Sequence, residues 1–126
     1  MAHILVVDDD PMLRRTLCAI LEKAGHTVVE AEDGKQALAL FAANKPDLVL
    51  TDIIMPNRDG IETLGELRRQ DARLPIIAMS GGGRTGGELF LKLANGLGAT
   101  RTLAKPIRQS DLIEAVDACL SGGAPP

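Results

Sequence analysis

Ile4-Leu5-Val6-Val7-Asp8-Asp9-Asp10-Pro11 holds the change of pattern that decides the fold. Four consecutive apolar residues read as a short buried strand. Asp10 can cap a helix that begins at Pro11, a position where proline loses no hydrogen bond. Leu13, Leu17, Ile20, Leu21 and Ala24 then recur at helical spacing, and Gly25 stops the helix. A strand, an acidic turn and a helix thus form one unit.

The same unit recurs along the chain. Thr27 to Ala31 reads as the second strand. Asp33-Gly34 opens a helix with Ala37, Leu40 and Phe41 on one face, and Asn44-Lys45-Pro46 ends it. Leu48-Val49-Leu50 is the third strand, followed by Thr51 and Asp52. Pro56 to Gly60 reads as a loop, with Asp59-Gly60 suited to a turn into a helix marked by Ile61, Leu64 and Leu67. Pro75 to Met79 is the fourth strand. A glycine-rich loop over 81–87 leads to a fourth helix with Leu89, Phe90 and Leu93. Thr102 to Ala104 is a short fifth strand closed by Lys105-Pro106, and the last helix carries Ile113, Val116 and Leu120. Apolar strands alternating with helices predict an α/β, doubly wound five-stranded parallel sheet covered on both faces. Residues 1–121 form one domain in this reading, and 122–126 a flexible tail or truncated linker.

Composition removes several classes of function. The 126 residues, 45% hydrophobic and 25% charged, suffice for a single core. Phe41 and Phe90 are the whole aromatic content, too little for a platform that stacks single-stranded nucleic acid. A net charge of −3 argues against direct nucleic-acid binding and against an anionic membrane surface. No apolar stretch approaches the roughly 18 residues of a membrane span. Met1-Ala2-His3 carries no basic leader, so a cytoplasmic location is expected. Cys18 and Cys119 lie far apart on apolar helix faces and read as reduced core residues.

Ligands of open parallel sheets bind beyond the carboxyl ends of the strands. Asp8 and Asp9 follow the first strand, Asp52 the third, Ser80 the fourth and Lys105 the fifth. Three neighbouring carboxylates repel one another unless a cation joins them. An all-oxygen set with few protein ligands suits Mg²⁺. Lys105 offers a compact positive charge for phosphoryl oxygens, and Ser80 one hydrogen bond. His3 and His26 precede the first and second strands and read as ordinary surface or edge residues. The set suits phosphoryl transfer, with Asp52 as a nucleophile that forms an acyl phosphate.

Val7-Asp8-Asp9, Asp52-x-x-Met55-Pro56-x-x-Asp59-Gly60, Ser80-Gly81, Gly98-Ala99 and Lys105-Pro106 together resemble the receiver domains of two-component response regulators, from Ile4 to about Leu120. The resemblance implies a flavodoxin-like (βα)5 sandwich with strand order 2-1-3-4-5. It implies that Asp52 accepts a phosphoryl group from a phosphohistidine on a sensor histidine kinase or histidine phosphotransfer protein. Asp9, Asp52 and the main-chain carbonyl of Ile54 would ligate Mg²⁺ directly, with Mn²⁺ as a possible substitute, and Asp8 through a bound water. Ser80 and Lys105 would hold the phosphoryl oxygens, and the Lys105-Pro106 bond is often cis in such domains. The chain would be a signalling phosphoacceptor and not an enzyme, catalysing only its own phosphorylation and slow dephosphorylation. Its signal would leave through the face of the fourth helix, fifth strand and last helix, toward a downstream target protein or a missing output domain. Ser80 and Thr102 occupy the switch positions. Thr102 stands where the family often has Tyr or Phe, and Ile107 where Phe is common, so the usual serine–aromatic coupling lacks its aromatic half.

Other readings fit particular residues less well. An aspartate-nucleophile phosphohydrolase commonly carries its nucleophile after the first strand, in Asp-x-Asp, and adds a cap; here the central acid follows the third strand. A pure interaction module would not need the full set of Asp8, Asp9, Asp52, Ser80 and Lys105. Gly81-Gly82-Gly83-Arg84-Thr85-Gly86 spells G-x-G-x-x-G but follows the fourth strand and lacks dinucleotide-binding context. Arg14-Arg15 and Arg68-Arg69 read as solvated helix faces, with kinase docking a second reading for the first pair.

Overall fold

A computed structural model describes residues 2–53, 59–80, 96 and 98–121. Among them the elements run β1 (His3–Val7), α1 (Pro11–Lys23), β2 (Thr27–Ala31), α2 (Gly34–Ala43), β3 (Leu48–Asp52), α3 (Asp59–Gln70), β4 (Ile76–Ser80), β5 (Arg101–Ala104) and α4 (Gln109–Leu120). The expected glycine-rich loop over 81–87 and the helix containing Leu89, Phe90 and Leu93 lie outside the described residues, as do Ile54 and the 122–126 segment.

The five strands form one parallel sheet in the order β2-β1-β3-β4-β5. Successive residues of a strand face opposite sides of the sheet, and the core divides accordingly. Leu5 and Val7 of β1, Val49 of β3, and Ile76 and Ala78 of β4 face one layer, with Ala37 and Phe41 of α2 and Leu64 and Leu67 of α3. Ile4 and Val6, Leu48 and Leu50, and Ile77 and Met79 face the other, with Leu17, Cys18 and Leu21 of α1 and Leu112, Val116 and Cys119 of α4. β1, β3 and β4 are covered on both faces, which is why they read as continuous apolar runs.

Local signals act as the sequence predicts at several ends. The Asp10 carboxylate accepts from the N–H groups of Met12 and Leu13, with Pro11 opening α1. Asp33 caps α2 through the Gln36 N–H at 2.8 Å. Gly25 follows α1 at φ 102°, a left-handed conformation that costs glycine little. Other boundaries move. β4 runs to Ser80 and β5 begins at Arg101, one residue from expectation in each case. His3 belongs to β1 instead of preceding it. Asp59 and Gly60 already lie in α3, where a loop was expected; an Asp-Gly pair suits both a turn and a first helical turn, and sequence alone does not separate them.

Candidate functional site

The sheet register brings the acids together. Val7 lies opposite Thr51, so Asp8, one residue on, falls level with Asp52. Asp52 lies opposite Met79, and Ser80 is the next residue of β4. Ser80 lies opposite Ala104, and the Lys105 N–H donates to the Ser80 carbonyl at 2.8 Å. The last residues of β3 and β4, Asp52 and Ser80, and the first residues past β1 and β5, Asp8 and Lys105, therefore share a single edge.

Their side chains sit in little water. Asp8 and Ser80 are fully buried and Asp52 nearly so. Lys105 spans the edge: its Nζ donates to Asp8 Oδ2 at 2.8 Å and to Asp52 Oδ2 at 3.0 Å. Burial acts to lower the Lys105 pKa, but its hydrogen bonds to Asp8 and Asp52 and their charges outweigh this and hold the ammonium above its ordinary value. Asp9 is the exposed member of the acidic set. Carboxylate oxygens of Asp8, Asp9 and Asp52 lie within 4.8 Å of one another. Among the described residues three carboxylates face one ammonium, and an all-oxygen donor set of this kind fits a hard divalent cation.

Two arginines fall outside the sequence expectation. Arg14 is not solvated: its side chain is 15% exposed, its Nε donates to Glu30 Oε1 at 2.8 Å and its Nη1 to the Asp8 carbonyl at 2.8 Å. Arg68 donates from Nε and Nη2 to the Gly98 carbonyl at 3.1 and 2.8 Å, and from Nη1 to the Asp71 carbonyl. Burial pulls its pKa below the ordinary arginine value, against the charge of Asp71. Gly98 has φ 108°, and a Cβ there would meet Arg68 Nε at 3.0 Å, so conformation and space both favour glycine. The neighbours Arg15 and Arg69 are exposed, as expected. A signal was present: Arg14 stands three and seven residues before Leu17 and Leu21, and Arg68 four after Leu64, so each lies on its helix's buried stripe.

The remaining candidates keep ordinary roles. His26 Nδ1 accepts from the Ala2 N–H at 3.2 Å, and the partly exposed His3 lies at the opposite end of β1 from the acids. Cys18 and Cys119 are buried and unpaired. Burial, then Glu30 and Glu22, push the Cys18 thiol up to about 12, which leaves it protonated and a poor nucleophile. Thr102 is half-buried on β5, opposite Ala78. The Lys105-Pro106 bond is cis. Among the described residues no helix is long and apolar enough to cross a membrane.

Comparison with known proteins agrees with this architecture. Residues 4–117 match the response regulator receiver domain family. The chain is 36% identical to protein PilH of Pseudomonas aeruginosa over 124 residues, covering 97% of this chain and all of PilH. It is 39% identical to the chemotaxis protein CheY of Bacillus subtilis, covering 96% of this chain and all of CheY. It is 41% identical to the transcriptional regulatory protein CpxR of Klebsiella pneumoniae but spans only 50% of that longer protein. The crystal structure of the receiver domain of NtrX from Brucella abortus superposes with a TM-score of 0.87 at 33% identity, covering 94% of this chain and 98% of that one. Sheet order, acidic edge and family match coincide, and the chain belongs to the response regulator receiver domains, the signalling domains of two-component systems.

Proposed function

We propose that the chain is a phosphoacceptor whose Asp52 carboxylate takes a phosphoryl group from a phosphohistidine donor. The observation that supports this most is the Lys105 ammonium bridging Asp8 and Asp52 at the buried carboxyl edge of the sheet. In the proposed step an Asp52 oxygen attacks phosphorus, the new O–P bond forms an acyl phosphate, and the P–N bond to histidine breaks with its electron pair on the ring nitrogen. Lys105 holds a phosphoryl oxygen during transfer, and Ser80 donates a hydrogen bond to another. Asp9, Asp52 and the Ile54 carbonyl would hold Mg²⁺ or Mn²⁺, with Asp8 acting through a water; the Ile54 carbonyl lies outside the described residues. The cation, when bound, would neutralise charge on the transferring group.

The donor in this reading is a sensor histidine kinase or histidine phosphotransfer protein in the cytoplasm. The receiver domain spans 1–121, does not turn over an external substrate, and passes its state through Ser80 and Thr102 to a downstream target or output domain. Thr102 is smaller than the aromatic residue common at its position, so the two states differ less in packing there and interconvert more freely.

Acetyl phosphate supplies a test without the cognate kinase. With Mg²⁺, intact-mass measurement should show one phosphoryl group on the wild type and none on Asp52→Ala. Chelation of the cation should abolish the gain. Equal phosphorylation of both proteins would sink the assignment of Asp52.

A further inference from the structure

We infer that Arg14, oriented by Glu30, is a positioning residue that fixes the Asp8–Asp9 peptide and so places the Asp9 carboxylate for the cation. The inference rests on the cation-dependent reading above.

The backbone around Asp9 is held from both sides. Before it, the Asp8 carbonyl accepts from Arg14 Nη1 at 2.8 Å, and the Asp8 N–H donates to the Ala31 carbonyl at 3.1 Å. After it, the Asp10 N–H donates to Asp8 Oδ1 at 2.9 Å, and the Asp10 side chain caps α1. Asp9 is exposed, so core packing does not set its direction; the two flanking peptides do. Arg14 can hold the first of these because its fork meets two acceptors at once, Glu30 on β2 and the Asp8 carbonyl beyond β1. Arg14 makes the two contacts from separate nitrogens, Nε and Nη1, whereas a lysine would have to serve both acceptors from one Nζ and so keeps only part of the hold. Arg15, 79% exposed and 3.8 Å from Glu30, does not substitute.

The sign of the effect separates positioning from charge. Arg14 is a cation near a cation site. Coulomb's law alone says that its removal should tighten Mn²⁺ binding, the more so because Glu30 keeps only the long, exposed contact with Arg15. Loss of positioning says the reverse. Groups that orient metal ligands typically contribute about 10- to 100-fold in affinity.

The test is Mn²⁺ binding, followed by electron paramagnetic resonance of the free ion, on the full chain at a temperature where every variant is folded. Arg14→Ala should raise the Mn²⁺ dissociation constant about tenfold, at the lower end of that range. Arg14→Lys, which keeps the charge without the fork, should recover only part, and Glu30→Gln should show a smaller rise. Arg15→Ala should match the wild type. Arg68→Ala, which loses three hydrogen bonds away from the acids, should lower the melting temperature without moving the dissociation constant. Unchanged or tighter Mn²⁺ binding by Arg14→Ala, or full recovery by Arg14→Lys, overturns the positioning role. If Arg14→Ala does not fold, the Arg14→Lys and Glu30→Gln constants decide alone. A wild type that binds no Mn²⁺ overturns the cation reading itself, a failure visible before any variant is made.

Discussion

Two lysine–aspartate contacts lie toward opposite ends of the same sheet at almost the same distance. Lys105 reaches Asp8 at 2.8 Å beyond the carboxyl ends of the strands; Lys45, before β3, reaches Asp71, before β4, at 2.7 Å. Distance does not distinguish them, but burial does. The Lys105 and Asp8 side chains are 17% and 0% exposed, those of Lys45 and Asp71 60% and 17%. Two unit charges 4 Å apart interact by about 1 kcal/mol in water and about 4 kcal/mol at an effective dielectric near 20. Among the described residues the carboxyl end also gathers more carboxylates than its lysine can neutralise, whereas the single carboxylate of Asp71 meets Lys45 with the charge of Arg68 also acting on it. Burial with surplus charge makes a site; exposure with matched charge makes a fastening.

The sharpest way to break this contrast is Lys105→Met. Removing the ammonium leaves Asp8 and Asp52 buried and close, and the loss should be about 3 kcal/mol, the lower end for a broken buried pair because Lys105 is partly exposed. Millimolar Mg²⁺ should restore part of it, since a ligand of the folded state stabilises by RT ln(1 + [L]/Kd). Urea unfolding with and without Mg²⁺ reads both; wild-type stability of the variant under chelation would contradict the account.

Asp47→Ala should act more gently. The Asp47 carboxylate accepts the His3 N–H at 2.8 Å in an exposed position, so about 1 kcal/mol is expected, with no change in the Mg²⁺ response. A changed Mg²⁺ response in the same urea experiment would show that the two ends are coupled.

Lys45→Met should be smallest at neutral pH, about 0.5 kcal/mol, the scale of an exposed pair. Its pH dependence is more telling. The hydrogen bond from Lys45, then that from the Arg73 N–H, holds the Asp71 carboxyl below its ordinary 3.8. A depressed carboxyl stabilises the fold above the unfolded value and loses that contribution as pH falls through the folded value. Lys45→Met should therefore approach the wild type in stability below pH 3.8, and chemical unfolding across that range checks it. A gap that stays constant into acid would show that the charge of Asp71 is not involved.

The same contrast explains what the sequence reveals. Strands covered on both faces leave unbroken apolar runs, so β1, β3 and β4 are legible, and the acids that follow them mark the binding edge before any coordinates. Asp10 and Asp33 act through their own helix starts, a local device with a local signature. Arg14 and Arg68 are different. Their partners, Glu30 with the Asp8 carbonyl and Gly98, are brought near by tertiary packing, and main-chain carbonyls leave no mark in a sequence. Their places on buried stripes were legible; their acceptors were not. The start of α3 was missed for another reason, because Asp-Gly serves a turn and a helix start alike.

The central claim is that the carboxyl edge exists to phosphorylate Asp52, and trapping the product tests it most directly. Phosphoramidate, whose P–N bond resembles that of phosphohistidine, would be given to the wild-type chain with Mg²⁺. Borohydride would then reduce the acyl phosphate to an alcohol, and peptide mapping would locate the altered residue. The account predicts a single alteration, at Asp52, that disappears when Mg²⁺ is chelated. Alteration at Asp8 or Asp9, or none anywhere in the chain, would contradict it.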